Sequence, residues 1–263
     1  MITSSTNVQM KNLIKLQKNA RTRREQQAFV VEGKKIFEEA KLYGVVKQAY
    51  VTSAYLENLE EKPEAYFGKI PYTLVEEKIL KEVADTMTPQ GILAIVEKPI
   101  YSLDQLLAKD KANYVVLEDL RDPGNLGTIM RTAEGADMAG VVMSKETVDL
   151  FNPKVVRSTM GSIFRVPFVY VENIYEAVAQ MQEAGVSIVA TDLQGTHMYH
   201  EEKYGKKTGI VIGNEAKGIS GQMRQQADVL VKIPMGGKLE SLNASVAAGI
   251  MMYQLFISGA ERF

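Results

Sequence analysis

Five short apolar runs in the second half of the chain restrict its fold more than any other feature. They are Tyr114-Val115-Val116-Leu117, Gly140-Val141-Val142-Met143, Val186-Ser187-Ile188-Val189-Ala190, Gly209-Ile210-Val211-Ile212 and Val229-Leu230-Val231-Lys232-Ile233. Each is too short for a buried helix and rich in β-branched residues, so each reads as a strand. Near-continuous apolar character, rather than alternation, means that both faces of the sheet are covered. Helical spacing predicts helices between most of these strands, over 126–136, 153–160, 174–184 and 219–227. Strands alternating with helices make a mostly parallel α/β sheet. Ligands in such sheets bind beyond the carboxyl ends of the strands, so the loops there are where chemistry is sought.

The first 95 or so residues have a different rhythm. Helices are expected over 8–16, 33–42, 54–59 and 76–84, with strands at 29–31, 48–51, 72–75 and 91–96. Gly44 stands where a left-handed helix cap is wanted. This is a small αβα unit, and Glu97-Lys98-Pro99 reads as its linker, because Pro breaks both helix and strand. The expected domains are therefore 1–97 and 98–263. Net charge is −1, which argues against wholesale coating of a polyanion, but Gln9 to Lys35 holds Lys11, Lys15, Lys18, Arg21, Arg23, Arg24, Lys34 and Lys35 against only Glu25 and Glu32. Such a cluster is either a phosphate-reading surface or a solvated helix face. The chain has no cysteine and two histidines, which excludes disulfides and a Cys nucleophile and leads us to expect no metal centre. No apolar run reaches membrane-spanning length and the first residues lack the features of a signal peptide, so a cytoplasmic protein is expected.

Three loops after strands stand out. In Glu118–Ala133, Pro123 and Gly124 force a turn, and Asn125 is the natural cap of a helix starting near Leu126. Arg131 falls close to that helix's apolar face, where a charge needs a partner; a buried salt bridge is the plain explanation. In Val211–Ser220, Gly213 and Gly218 have the spacing of a phosphate loop, but Ile219 stands where its Lys belongs, and no Gly-x-Gly-x-x-Gly follows any strand. In Ile233–Ile250, Ser241, Asn243 and Ser245 enter a helix at alternate positions. One cap suffices for a helix, so the other side chains point to a further task. The helix that follows is apolar nearly all round, as in a core or between subunits.

Together these loops resemble the three motifs of the SpoU (TrmH) family of RNA ribose 2′-O-methyltransferases. Asn125 and Arg131 match the first, Gly213-Asn214-Glu215 the second, and Ile233-Pro234-Met235 with Ser241 to Ala247 the third. Phe29-Val30-Val31-Glu32-Gly33 is similar to the family's ribosomal-protein-like substrate-binding domain. The resemblance implies an α/β fold with a C-terminal trefoil knot, which composition and periodicity do not foretell and which runs against the rule that connections do not thread loops. It implies S-adenosylmethionine bound by Gly213, Ile233 and Leu242, with Thr191, Leu193, Asn214, Met235 and Asn243 nearby. It implies Arg131, Asn125, Glu215 and Asn243 as catalytic residues, with Glu215 the expected partner of Arg131. An arginine does not deprotonate in proteins, so a charged clamp on a phosphate suits Arg131 better than a general base. Lys18, Arg21, Arg23 and Arg24 are the expected RNA contacts. The further expectations are a homodimer through 245–257 and a structured RNA substrate, ribosomal RNA ahead of tRNA. A non-catalytic RNA-binding relative would be expected to lack Asn125, Arg131 or Glu215, and a nucleotide-dependent enzyme would show a phosphate loop.

Overall fold

The computed structural model describes residues 1–110 and 112–258. In chain order the first elements are α1 (Val8–Lys18), α2 (Ala20–Gln26), β1 (Ala28–Glu32), α3 (Lys34–Leu42), β2 (Val46–Val51), α4 (Ser53–Glu57), α5 (Pro63–Phe67), β3 (Tyr72–Leu74), α6 (Glu77–Val83) and β4 (Ile92–Glu97). There follow α7 (Leu103–Leu107), β5 (Ala112–Leu117), α8 (Pro123–Gly135), β6 (Gly140–Ser144), α9 (Pro153–Ser158), β7 (Phe168–Val171), α10 (Ile174–Glu183) and β8 (Ser187–Thr191). The last are β9 (His197–Met198), β10 (Lys207–Ile212), α11 (Gly221–Gln226), β11 (Val229–Lys232) and α12 (Ala244–Ser258). No described helix is long and apolar enough to cross a membrane.

Two compact units result: Met1–Pro99 with Asp149–Phe164, and Ile100–Val148 with Arg165–Phe263. They depart from a single cut after residue 97, because 149–164 groups with the N-terminal residues. The reason is chemical. Phe29 packs on Phe151 at 4.8 Å and on Phe164 at 6.2 Å between ring centres. Arg23, 3% exposed, donates Nε and Nη2 to Asp149 Oδ2 at 2.8 and 2.6 Å, and Nη1 to the carbonyls of Leu16 and Gln17.

In the first unit the described strands order β1-β4-β2-β3, antiparallel except for β2 with β3. Alternation along β1 sends Ala28 and Val30 to one face, into a cluster with Met10, Leu13 and Leu16 of α1 and Ile79, Leu80 and Val83 of α6. Phe29 and Val31 face the other way. Helices on both faces make the expected αβα arrangement. Helix α2 escaped the sequence reading because its seven residues Ala20 to Gln26 carry no apolar stripe.

The second unit holds a parallel sheet ordered β7-β6-β5-β10-β8-β11-β9. Tyr114, Val116, Val142, Ile188 and Val211 turn to one face, against Ile174, Val178 and Met181 of α10 and Met223 of α11. On the other side α12 packs on α8, β5 and β10. The helices α8 and α12 approach closely because small residues lie where they cross: Gly249 beside Thr132, and Gly135 beside the Tyr253 hydroxyl. The winding β5→β6→β7 proceeds outward, and the chain then crosses to the far side of the sheet for β8. Strand β10 returns into the gap between β5 and β8, with Ile212 level with Leu117. The loops after β5 and β10 thus leave neighbouring carboxyl ends at the point where the winding changes direction, the place where such sheets take ligands.

Candidate active site

Helix α8 begins at Pro123, not near Leu126. Pro at the first helical position has its φ already set and lacks only an N–H that would have no helical partner. Asp122 is therefore the cap, accepting the Asn125 N–H at 2.8 Å, and the expectation that Asn125 caps the helix is corrected. Asn125 sits instead in the first turn, 7% exposed, with its amide free to act elsewhere.

It bridges the other two motif loops. Its Nδ2 donates to Glu215 Oε1 at 3.0 Å, and its Oδ1 accepts from Asn243 Nδ2 at 3.0 Å. The backbone N–H groups of Arg121 and Asp122 also donate to the Glu215 carboxylate, at 3.1 and 2.8 Å. Partial burial pushes the Glu215 pKa up; the Asn125 amide, those two N–H groups and Glu215's own N–H outweigh it and hold the carboxyl below its usual range. Glu215 is thus a fixed anion. Asn243 caps α12, its Oδ1 accepting from Ser245 N at 2.9 Å and Ser245 Oγ at 2.7 Å, while its amide reaches Asn125. The further bond is thus made by the capping residue itself, while Ser245 only supports the cap and Ser241 lines the neighbouring cavity.

Arg131 is not part of this cluster. It is exposed on α8, and among the described residues no carboxylate pairs with it. Both the buried salt bridge and the pairing with Glu215 are corrected: the ring of donors around Glu215 leaves it no need of a cation, and Arg131's side of the helix is open.

Beside Glu215 lies a cavity of about 370 Å³, and Thr191, Leu193, Gly213, Asn214, Ile233, Met235 and Leu242 all line it. Gly213 is required by close approach: a Cβ there would stand 2.2 Å from the Gly218 carbonyl carbon and 2.3 Å from Ile219 N. The loop closes on itself through Asn214 N to Gly218 O and Gly218 N to Asn214 O. The Asn214 side chain shapes the loops, donating to Asp119 O at 2.9 Å and accepting from Ala216 and Lys217 N–H. Thr191 Oγ1 is engaged by Val211 O. Among the described residues, the backbone of 233–242 makes no hydrogen bond to other parts of the chain, although that segment lines the cavity at five positions. A row of free main-chain donors and acceptors beside Ile212, Ile219 and Leu242 fits a ligand with a flat apolar ring and polar edges. It suits a nucleoside better than a phosphate.

The sequence reading missed the Asp192–Arg224 pair on the cavity wall, joined at 2.7 and 2.8 Å with the Asp192 side chain 5% exposed. Its signal was position: Asp192 directly follows a strand. Of the basic residues, Lys18 and Arg24 are exposed and Arg21 pairs with Glu25 at 2.7 Å. Arg23 is buried with its guanidinium fully engaged, so its reading as an RNA contact is corrected: it fastens α2 and the end of α1 to Asp149. No group of three or more potential metal ligands occurs among the described residues.

Residues 112–253 match the SpoU rRNA methylase family, and residues 7–94 match the MRM3-like substrate binding domain. The 23S rRNA (guanosine(2553)-2′-O)-methyltransferase RlmP of Bacillus subtilis is 32% identical over 97% of this chain and 98% of its own length. The structure of an AdoMet-bound rRNA methyltransferase from Sinorhizobium meliloti superposes with a TM-score of 0.86 at 31% identity, covering 100% of this chain and 98% of that one. The SpoU methyltransferase AviRb from Streptomyces viridochromogenes, in complex with the cofactor AdoMet, gives 0.85 at 26% identity over 96% and 98%. With these likenesses running through both units and all three motif loops, the chain belongs to the SpoU rRNA methylase family, with its knotted α/β methyltransferase fold.

Proposed function

We propose that this protein methylates a ribose 2′-hydroxyl of ribosomal RNA, with S-adenosylmethionine as the methyl donor. The observation that carries the reading is the Glu215–Asn125–Asn243 chain at the edge of a cavity walled by unpaired main chain. The full-length likeness to a 23S rRNA enzyme supports ribosomal RNA over tRNA. That substrate in turn implies the cytoplasm.

Gly213, Ile233, Met235 and Leu242 would hold the cofactor, with the exposed Leu193 on the same cavity wall. S-adenosylmethionine supplies an activated methyl and carries its own leaving group, so the protein's work is to orient the hydroxyl and ease the loss of its proton. Asn125 and Asn243 tie the first and third motif loops together beside Glu215. Glu215, kept anionic, holds the turn at Arg121 and Asp122 so that α8 starts at a fixed height. Arg131, exposed and without a partner among the described residues, would grip a substrate phosphate through both arms of its guanidinium and so lower the pKa of the neighbouring hydroxyl through space.

The active form is a homodimer through α12. One side of this helix is buried through Ala248, Met251, Met252 and Leu255. Val246, Tyr253 and Ile257, 49%, 46% and 65% exposed, form with Ile250 a second apolar stripe at helical spacing. Light scattering should give twice the chain mass at micromolar concentration. Calorimetry should show S-adenosylmethionine binding where ATP does not. Methyl transfer to unmodified ribosomal RNA, mapped to a 2′-oxygen, tests the activity itself, and transfer to tRNA alone would overturn the substrate.

A further inference from the structure

We infer that Arg224, held in place by Asp192, is a specificity-determining residue for the cofactor, and that the outer edge of its guanidinium donates hydrogen bonds to the 2′- and 3′-hydroxyls of the cofactor's ribose. The inference rests on the reading of this cavity as the S-adenosylmethionine site. Both residues stand on its wall.

Asp192 directly follows β8, and its carboxylate is engaged through both oxygens. Oδ1 accepts the Gln194 N–H at 2.7 Å, while Oδ2 accepts Arg224 Nε at 2.8 Å and lies 2.7 Å from Nη2. The turn that carries it is itself fixed. The Asp192 N–H donates to Val231 O, the Gly195 N–H donates to Asp192 O, and a Cβ on Gly195 would stand 2.7 Å from the Val231 carbonyl carbon. The carboxylate thus holds the guanidinium in one plane. A guanidinium carries five N–H donors in a rigid fork. Those of Nη1 and the outer one of Nη2 meet no acceptor among the described residues. Exposure divides the pair in the same way: the Asp192 side chain is 5% exposed and that of Arg224 36%. Arg224 is the part that a ligand would touch, and Asp192 is its positioning residue.

Placement selects the part of the cofactor that arrives there. Strand β10 lies between β5 and β8. Glu215, after β10, is tied to Arg121, Asp122 and Asn125 on the β5 side, whereas Asp192 stands on the β8 side. Two strand spacings, roughly 10 Å, separate β5 from β8. Helix α11, which carries Arg224, and helix α12, which Asn243 caps, also pack on opposite faces of the sheet. The methyl belongs at the Glu215–Asn125–Asn243 end, so Arg224 meets a group several bonds from the sulfur. The slot of Ile212, Ile219 and Leu242 suits the adenine ring, and the free main chain of 233–242 suits its polar edge. The ribose diol and the amino-acid carboxylate are then the groups left for Arg224. Charge decides between them. The guanidinium is already neutralised by Asp192, so the pair complements a neutral diol, whereas an anion would call for an unpaired cation. The parallel N–H groups of the outer edge are spaced to meet oxygens on neighbouring carbons. A site built to bond a hydroxyl also rejects the analogue that lacks it, because its own polar groups are left unpaired.

Calorimetry on the full chain tests this with three ligands: S-adenosylhomocysteine, its 2′,3′-dideoxy analogue, and 5′-methylthioadenosine, which keeps the diol but has no carboxylate. Wild type should bind the dideoxy analogue on the order of tenfold or more weakly than S-adenosylhomocysteine, as expected for bonds to a charged group. In Asp192→Asn/Arg224→Gln, which removes both charges and strands neither, that gap should close. Affinity for S-adenosylhomocysteine and for 5′-methylthioadenosine should fall by the same factor, while affinity for the dideoxy analogue holds. Arg224→Lys leaves Asp192 with a partner and should narrow the gap as well, so it decides the matter if the double variant does not fold. Equal losses for all three ligands would reduce the pair to a tie between α11 and the loop after β8. A loss that spares 5′-methylthioadenosine would give the guanidinium to the carboxylate. Either result, or a wild type indifferent to the diol, would overturn the inference while leaving the activity standing; a wild type that binds none of the three would overturn the methyltransferase reading along with it.

Discussion

Replacing Asn125 by Asp changes almost no volume and inverts one interaction. The wild-type amide donates to Glu215 Oε1 at 3.0 Å; the variant sets a carboxylate oxygen against it. The lost charge-assisted bond contributes about 1.5–3 kcal/mol. Two unit charges at that separation repel by roughly 1.4 kcal/mol in a water-like medium and about 5.5 kcal/mol at an effective dielectric of 20. Glu215 is exposed but position 125 is only 7% exposed, so the repulsion lies between these figures, and the pair relieves part of it by sharing a proton. A net loss of about 3 kcal/mol at pH 7 follows, or roughly 6–12 °C in Tm for a chain of this size. The sign with pH is distinctive. In the wild type, Glu215's lowered pKa makes its contribution complete above the ordinary carboxylate range and lost as pH falls through the lowered value. In the variant, the carboxylate pair has a raised apparent pKa, so its deficit grows as pH rises and fades in acid. Scanning calorimetry of both proteins between pH 4 and 8 should show the two Tm curves converging toward acid. Equal Tm at pH 7, or a gap that widens in acid, would refute the placement of the Asn125 amide on Glu215.

Arg131→Lys should keep measurable single-turnover methyl transfer, whereas Arg131→Ala should lose on the order of a hundredfold or more, since a charge-assisted phosphate contact is worth a few kcal/mol. Equal, complete loss in both would point to the guanidinium's geometry, and lost cofactor binding would mean a role in the fold. Arg23→Gln should destabilise by about 3–5 kcal/mol through the abandoned Asp149, seen as a lower urea midpoint, whereas Lys18→Gln should leave the midpoint where it was. Tyr253→Glu with Ile257→Glu should yield a monomer by light scattering, and a surviving dimer would move the interface off α12.

Short apolar strands showed themselves in the sequence because period and composition are local properties. Edge strand β7 did not: Phe168-Val169-Tyr170-Val171 is only partly buried after Phe168 and follows directly on Pro167. The three motif loops could be recognised, yet the roles within them followed pairings invisible along the chain. Asn125 looked like a cap until Pro123 took the first helical position and moved the cap to Asp122. Arg131 looked buried by its spacing, but the strip of α8 on which it lies is left uncovered. Arg23 read as one more exposed cation, since its partner Asp149 lies 126 residues away. Local rules place elements; they do not say which charges will meet.

The order of the second sheet also has a kinetic side. Strand β10 fills the middle of the sheet, between β5 and β8, yet it is nearly the last strand to be made. The hydrogen bonds from Asn125 to Glu215 and from Asn243 to Asn125 span 90 and 118 residues. Closing such distances costs chain entropy before any contact repays it, and parallel sheets dominated by distant pairings fold slowly. Until β10 enters, β5 and β8 each carry a bare edge able to pair with another chain. The emerging protein is therefore expected to be most prone to aggregate before residue 212 has been synthesised and to gain its cofactor cavity only once α12 has docked on α8, so that pulse-labelled hydrogen exchange should find the amides of α12 among the last to be protected during refolding.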